Sequence, residues 1–267
     1  MLGKIDKIPF SLGEKIGVLA LLLALLLFWV APSLATVPLI VFLILCFGAP
    51  FFPRFGFFLP VISRGQSGAR EIALTFDDGP SPLSTPILLN LLARHNLHAT
   101  FFVVGEKAAQ YPELIQSILD QGHTLGNHSW NHDYFLMLRR LKRLEKDIHN
   151  SQEILKQFGV RPLVFRPPVG ITGSRLGKVL AGEGLITVNY SCRAFDRGNR
   201  NVHNLADKIL NCLQPGDVIM LHDLPPYQKN LSDYWETELD HLFGTLQKRY
   251  TTVPLEQLIE RPVMLFL

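Results

Sequence analysis

The sequence predicts an α/β fold in which helices cover a mainly parallel β-sheet. From residue 70 onwards, short apolar runs alternate with longer segments of helical periodicity. Several of these runs end in polar or acidic residues, and parallel α/β folds carry their chemistry at such strand ends. About 200 residues follow an apolar N-terminal segment, which is enough for one catalytic domain.

The expected elements follow the chain in order. Strands are predicted over 71–76, 99–104, 163–165, 185–189 and 217–221. Helices are predicted over 86–97, 114–121 and, in a long and highly charged segment, 138–158. Residues 227–235 are polar and aromatic and are expected to form a surface loop.

The N-terminal segment has no charged residue between Lys15 and Arg54. A membrane-spanning helix needs about 20 apolar residues, so this segment is too long for one span and nearly long enough for two short ones. Three arrangements are open: a cleaved signal peptide ending near 32–35, a single tilted span, and a hairpin turning near Ser33. The hairpin is the preferred arrangement, with helices at about 14–31 and 37–59.

The charges around this segment predict its orientation. Lys and Arg residues flank it on both sides (Lys4, Lys7, Lys15, Arg54, Arg64 and Arg70), whereas the short middle loop has none. The positive-inside rule then places both ends in the cytoplasm. We therefore expect a membrane anchor over residues 1–65 and a catalytic domain over 66–267 on the cytoplasmic face of the inner membrane. The periplasmic face is the alternative.

The most informative motif is Thr75-Phe76-Asp77-Asp78-Gly79-Pro80, at the end of the first long strand. Neighbouring side chains at a strand end diverge, so one acid can bind a metal while the other accepts a proton. A simple turn remains the alternative, because Asp, Gly and Pro all favour turns.

Three further motifs follow. His128 and His132 are spaced as on one face of a helical turn, and with Asp78 they make a set of two histidines and one acid that suits a catalytic divalent metal. Arg166 precedes Pro167-Pro168-Val169-Gly170, which read alone is a rigid turn. A buried-strand pattern over 218–221 ends in His222-Asp223. Taken alone, His222 could equally be a hydrogen-bonded histidine of the core or a catalytic residue.

In order and spacing, these motifs resemble the polysaccharide deacetylase family, that is, the NodB-homology domain of carbohydrate esterase family 4. The resemblance extends from about Arg70 to the C-terminus and includes the runs 98–105 and 122–127. It implies a distorted (β/α) barrel with the site at the C-terminal ends of the strands. It also implies a hydrolase that removes an N-acyl group, in the first place acetyl, from an amino sugar.

The resemblance implies a role for each motif residue. Asp77 is then the general base, Arg166 holds it in place, and Asp78, His128 and His132 bind the metal. The main chain of Val169 faces the oxyanion, Met220 or Leu221 lines the pocket for the acetyl methyl, and His222 is the general acid with Asp196 as its partner. Zinc is the first expectation for the metal, and this ligand set also suits cobalt, nickel or iron.

Two departures from the family pattern stand out. Val169 replaces a residue that is usually aromatic, and valine should preserve a role that belongs to the main chain. Arg193 stands where the family has an acid, and Arg197 stands where it has a tryptophan. These two arginines suggest an anionic substrate, with solvated or locally paired arginines as the alternative.

Composition sets the remaining limits. The formal net charge of +3 does not indicate nucleic-acid binding, though it suits an anionic membrane surface. Cys192 and Cys212 form no disulfide framework, although a single pair can still bridge.

The sequence thus predicts a metal-dependent N-deacetylase that acts on a lipid-linked glycan such as a polyprenyl-phosphate sugar, with membrane lipid as its surroundings. A periplasmic deacetylase of peptidoglycan or exopolysaccharide, an O-acetyl esterase and a deformylase remain alternatives. The alternative from a different class is an inactive, sugar-binding membrane protein.

Overall fold

A curled parallel sheet forms an open barrel in the computed structural model, which describes residues 11–49, 52, 56–65 and 70–267. The strands are β1 Val61–Ile62, β2 Glu71–Asp77, β3 Ala99–Val103, β4 Thr124–Asn127, β5 Val160–Pro162, β6 Val164–Phe165, β7 Ile186–Val188, β8 Cys192–Arg193, β9 Val218–His222, β10 Thr251–Thr252 and β11 Met264–Phe266. The sheet order is β1-β7-β6-β4-β3-β2-β9-β8, with β10 added on β2. The predicted distorted barrel is confirmed.

Helices connect and cover these strands. They are α1 Leu12–Val30, α2 Val37–Gly48, α3 Thr85–Arg94, α4 Gly105–Gln110, α5 Pro112–Asp120, α6 Leu141–Lys156, α7 Leu176–Glu183, α8 Leu205–Cys212, α9 Ser232–Arg249 and α10 Leu255–Leu258. Strands β5 and β11 form a separate antiparallel pair.

Side chains alternate along β2, so that successive residues face the apolar core and the candidate site in turn. Leu74 and Phe76 pack outwards in the largest apolar cluster, which includes residues of α3 and α9. Thr75 and Asp77 point to the opposite face, where both accept hydrogen bonds from Arg166 in the lumen. Asp77 is in register with His222 of β9, so two strand ends carry polar groups at the same level.

Several predicted elements differ in their boundaries; the helix expected over 86–97, for example, ends at Arg94. The helix expected over 138–158 starts as a 3-10 turn over Leu136–Leu138, and α6 begins only at Leu141. The loop expected over 227–235 is shorter, because a 3-10 turn covers Lys229–Leu231 and α9 begins at Ser232.

The N-terminal helices pack against each other as a hairpin. A Cβ atom on Gly17 of α1 would lie 2.9 Å from the Phe42 ring of α2, so glycine is what allows this contact. Helix α1 is long and apolar enough to cross a membrane, whereas α2 is shorter.

The predicted extent of the second helix, 37–59, is wrong: α2 ends at Gly48, and Phe57–Leu59 are not helical. Pro50 explains the end, because proline has no N–H with which to continue a helix. Part of the proposed boundary, residues 66–69, lies outside the described residues.

One disulfide joins the sheet to a helix. Cys192 at the start of β8 is bonded to Cys212 at the end of α8, with their Cα atoms 6.3 Å apart. The single pair that the sequence left open is therefore bridged in the structure. The bond anchors the strand that leads into Arg193 and Asp196.

Candidate active site

Asp77 sits at the end of β2, almost fully buried, and its carboxylate is held by an arginine from across the barrel. Arg166 donates from one terminal nitrogen to Asp77 Oδ1 at 2.7 Å and to Thr75 Oγ1 at 2.8 Å. The ion pair joins two buried side chains, and such a pair is stable only when the remaining donors are also satisfied.

The other donors of Arg166 are in fact used. Its Nε donates to the carbonyl of Val188 at 3.1 Å, and its second terminal nitrogen donates to the carbonyl of Asn189 at 2.9 Å. The guanidinium carbon lies 3.9 Å from the centre of the Phe102 ring, which covers its face. Arg166 therefore holds Asp77 in one orientation.

Asp78, His128 and His132 converge on one point and form a candidate metal centre. Asp78 Oδ1 lies 3.2 Å from Nε2 of His128 and 2.9 Å from Nε2 of His132. One ligand atom from each residue lies within 4.8 Å of the others. The three predicted ligands thus meet, and two imidazoles with one carboxylate match a catalytic zinc-type site with open positions.

The surroundings of these ligands fit a cation. Asp78 Oδ1 is buried, and its close polar neighbours among the described residues are the two imidazole nitrogens that would share a cation with it, so no other side chain competes for this oxygen. The carbonyl of Arg166 lies 2.7 Å from His128 Nδ1, which places the proton on Nδ1 and leaves Nε2 free to ligate. Burial alone would raise the pKa of Asp78, but His128 and His132 outweigh it and hold that pKa well below its usual value.

The histidine pair does not lie on a helical turn, and that part of the prediction is wrong. Residues 128–132 form a loop in which Ser129 and His132 have φ values of 69° and 53°. Ser129 N–H donates to Asn127 Oδ1, and His132 N–H donates to Ser129 Oγ. These local bonds compete with helical ones and bring the two rings to 4.9 Å.

His222 faces the metal centre from the end of β9 and is paired with an acid. Its Nδ1 lies 2.7 Å from Asp196 Oδ2. Burial alone would lower the pKa of His222, but the hydrogen bond and charge of Asp196 outweigh it and raise the pKa to about 9. The predicted pair is therefore present, with the imidazole protonated near pH 7.

Asp223, the next residue, has a structural position that the motif alone did not reveal. It is fully buried and accepts hydrogen bonds from Ser84 Oγ and Thr85 Oγ1, both at 2.6 Å. Burial raises its pKa to about 6. A side chain at Gly79 would collide with this carboxylate, so Asp223 packs directly under the Asp77–Pro80 turn. Sequence reasoning missed it because its partners lie some 140 positions away.

The lining of the catalytic cavity, which has a volume of about 870 Å³, includes some of the remaining predicted residues and leaves out one. Val169 and Met220 line it, as expected. Leu221 does not: it points to the opposite face of β9 and belongs to the outer core, which follows from the alternation along a strand. Tyr134 and Tyr190 also line the cavity and were not predicted.

The two unusual arginines have different surroundings. Arg193 is half-buried, donates to the Tyr190 hydroxyl at 2.9 Å and covers the Phe195 ring at 4.3 Å. Arg197 and a third arginine, Arg200, also line the cavity and are exposed, and neither has an ion-pair partner within the described part of the chain. Of the alternatives to an anionic substrate, pairing with a local acid is not seen for Arg197 within the described residues, whereas its exposure fits a solvated side chain.

A family model for polysaccharide deacetylases matches residues 64–188 of the chain. A peptidoglycan-N-acetylglucosamine deacetylase of Bacillus cereus is 35% identical over 154 residues, which cover 57% of this chain and 72% of that protein. A chitooligosaccharide deacetylase of Sinorhizobium fredii is 33% identical over 172 residues, covering 63% of this chain and 80% of that protein.

A solved structure is similar along the same region. The crystal structure of a peptidoglycan N-acetylglucosamine deacetylase, in complex with a substituted benzamide, superposes with a TM-score of 0.69 at 28% identity. The match covers 76% of this chain and 94% of that one. Other curated relatives are longer, and the chain spans 35% of their length.

Proposed function

Since the chain belongs to the polysaccharide deacetylase family and is a hydrolase of the N-deacetylating type, we propose that it deacetylates an anionic, lipid-linked amino sugar at a membrane. One observation carries the reaction: a buried carboxylate held by an arginine lies beside the Asp78, His128 and His132 centre, with a protonated histidine on the same cavity.

The chain's own residues would divide the work as follows. Asp77, fixed by Arg166, accepts the proton of the attacking water. His222 donates a proton to the departing amine nitrogen, and Asp196 keeps it charged for that step. The main chain of Val169 faces the oxyanion, and Met220 contacts the acetyl methyl. A divalent cation on Asp78, His128 and His132, in the first place zinc, supplies Lewis acidity when bound.

A second cavity supports the lipid-linked substrate. It has a volume of about 640 Å³ and shares Gly198, Arg200 and Leu224 with the catalytic cavity. Its other walls are mostly apolar, formed by Leu83, Ile87, Pro225, Pro226, Tyr227 and Trp235, with Lys229 among them.

The order of these features matches the order of groups in a sugar joined through phosphate to a hydrocarbon chain. The metal centre would bind the N-acetyl sugar, and Arg197 and Arg200 would bind the phosphate. The second cavity would hold the first part of the hydrocarbon chain. The protein would be held at the membrane by the α1–α2 hairpin.

The activity is tested by acetate release from the detergent-purified full-length protein. Amino-sugar oligomers and lipid-linked glycans from the host membrane are compared, with Asp77→Asn as the inactive variant and Asp207→Asn, an exposed acid on α8, as the matched control. We expect release from the lipid pool that is lost only in Asp77→Asn. Release from soluble oligomers alone would contradict the lipid-linked substrate.

The phosphate contact is tested separately. Replacing Arg197 and Arg200 by Gln should raise KM for the lipid-linked substrate by about tenfold, the factor that corresponds to 1.4 kcal/mol. KM for neutral oligomers should stay within about twofold, which is a difference of about 0.4 kcal/mol. An equal loss on both substrates would mean that these arginines contact the sugar or only maintain the loop.

The disulfide favours a second candidate function. Disulfides persist mainly in oxidising compartments, so the Cys192–Cys212 bond favours a domain outside the cytoplasm, acting on peptidoglycan or an exported polysaccharide. The lysines and arginines on both flanks of the hairpin favour the cytoplasmic face instead.

Direct assays distinguish an N-deacetylase from three alternatives: an inactive sugar-binding protein, an O-acetyl esterase and a deformylase. A functional metal centre should hold one divalent ion per chain and lose it in Asp78→Ala, as measured by elemental analysis. Assays of O-acetyl and N-formyl sugars alongside the N-acetyl substrate separate the remaining two.

A further inference from the structure

The exposed apolar side chains of the catalytic domain are gathered on one face. Outside residues 11–52 and the last three residues, the large apolar side chains that are exposed in the described part of the chain all lie just beyond strand C-termini. They are Leu83 after β2, Tyr134, Phe135 and Leu138 after β4, Phe195 after β8 and Tyr227 after β9. Leu141 and Val169 lie beside them. We call this set the apolar rim: Tyr134, Val169 and Phe195 line the catalytic cavity, Leu83 and Tyr227 line the second cavity, and the others lie close to Tyr134 in the chain.

The exposure of the apolar rim is too large to be incidental. Phe135 and Leu138 are 62% and 74% exposed, on the turn that follows the metal ligand His132. Large apolar groups that cluster on one surface usually mark a contact with a partner, a ligand or a membrane. The other exposed large apolar side chains in the described part of the catalytic domain are Leu265, Phe266 and Leu267. The rim is separate from these three residues and requires its own explanation.

The charged side chains on the loops of the rim are mainly positive. The loops that carry the rim also carry Arg139, Arg140, Arg175, Arg193, Arg197, Arg200 and Lys229. Their acids are already used: Asp133 pairs with Arg139, Asp196 with His222, and Asp223 with two hydroxyls. A surface that combines exposed aromatic and aliphatic groups with uncompensated arginines suits an anionic lipid surface.

The membrane anchor joins the domain at the same place. Leu59, which follows the hairpin, packs in one cluster with Leu136 and Met137, the two residues between Phe135 and Leu138. Arg175 at the start of α7 donates to the carbonyl of Arg139, on the same turn. The rim is therefore continuous with the junction through which the chain leaves the hairpin.

We propose that the apolar rim is a membrane-contacting face, so that the mouth of the catalytic cavity opens onto an anionic bilayer surface. Phe135 and Leu138 enter the interfacial region, and the exposed Arg140 contacts lipid headgroups beside them, while Arg197 and Arg200 face the phosphate of the lipid-linked substrate. The proposal concerns how the domain is placed and does not depend on which amino sugar is the substrate. It explains why apolar groups collect at the site of a hydrolase for a polar sugar.

The test uses the full-length protein reconstituted in vesicles, with single spin labels. Phe135→Cys and Leu138→Cys are made in a Cys46→Ser background, and Gln157→Cys is the control. Gln157 is exposed at the end of α6, at the opposite ends of the strands. Collision rates are measured with oxygen, which enters the bilayer, and with a water-soluble nickel chelate.

We expect labels at positions 135 and 138 to collide at least about fivefold less often with the chelate than the label at 157, and more often with oxygen. The difference should shrink when phosphatidylglycerol is replaced by a zwitterionic lipid. Equal chelate access at 135, 138 and 157 would overturn the membrane-contacting face, and protection independent of lipid charge would overturn the role of Arg140. Since no substrate is used, a negative result here is distinct from a failure of the deacetylase assay.

Discussion

Backbone strain is concentrated at single residues around the catalytic cavity. Non-glycine residues in the left-handed region include Asp78, Ser129, His132, Val169, Phe195, Arg197 and Asn199. All seven lie in the loops at the strand ends that form or border the site. Each costs about 1–2 kcal/mol relative to ordinary backbone, so the rest of the fold must hold them. Val169 is the most unusual, because β-branched residues rarely adopt positive φ.

Val169→Gly should therefore stabilise the protein. Valine has φ 53° here, glycine accepts this conformation without strain, and the side chain is about half exposed. We expect an increase of about 1 kcal/mol in the free energy of unfolding, measured by denaturant in detergent. Activity should be retained, because the proposed role of this residue belongs to its main chain. A loss of more than about tenfold in kcat/KM, or 1.4 kcal/mol, would assign a role to the side chain itself.

Asp196→Asn should change the pH dependence of the reaction. The Asp196 carboxylate raises the pKa of His222 to about 9, so the acid form is present below that pH and is lost as pH rises through it. Without the negative charge the pKa falls, and the alkaline limb of the kcat/KM profile should move down by about one to two pH units. Asp207→Asn serves as the control. An unmoved limb would show that His222 is not the group that titrates.

At the scale of elements, the strand ends were more predictable than the loops between them. β2 and β9 carry strong apolar patterns, and their terminal acids and histidine lie where expected. The His128–His132 loop was misread as a turn of helix because spacing carries no information on φ. The partners of Asp223 and the second cavity were not predictable, because both depend on segments that are distant in the chain.

His123, just before β4, should make the fold sensitive to acid. The His123 side chain is buried, and its Nδ1 accepts a hydrogen bond from the Ala99 N–H. Burial, and to a smaller extent the charge of the nearby His98, lowers the pKa of His123 to about 4. An unfolded histidine takes up a proton below about pH 6.5, but the folded one does so only near 4. Stability should therefore fall by about 1.4 kcal/mol per pH unit from 6.5 towards 4 because of this group.

Thermal midpoints at pH 7, 6 and 5 measure this effect. His123→Gln cannot titrate, so the difference in stability between the variant and the natural protein should change in the variant's favour as pH falls. A difference that stays constant over this range would show that His123 is not buried in its neutral form.

At the scale of the whole molecule, the proposed membrane hairpin would place both ends of the chain in one compartment. α1 and α2 pack together, and the N–H of Gly13 near the start of α1 donates to the carbonyl of Phe57 at 2.7 Å. The start of the first helix is thus tied to the segment that leads into the catalytic domain. In the proposed arrangement, in which α1 and α2 both cross the bilayer, the two termini would lie on one side of it.

Reporters fused to the N-terminus and to the C-terminus should therefore give the same compartment in cells. Alkylation of the thiols after an acid quench provides a second readout: a cytoplasmic domain should show reduced Cys192 and Cys212, and an external domain should show them bonded. Opposite compartments for the two termini would exclude the hairpin and favour a single span.

Arg166 has a consequence for how this protein can be monitored. Its side chain joins β2 to the end of β7, and its own carbonyl orients a metal ligand. A chain that has not closed its barrel has no oriented base and no oriented His128, so misfolded or half-assembled molecules should be silent in the assay. Specific activity per bound metal ion would then serve as a quality measure for each preparation, because it counts the molecules whose barrel is complete.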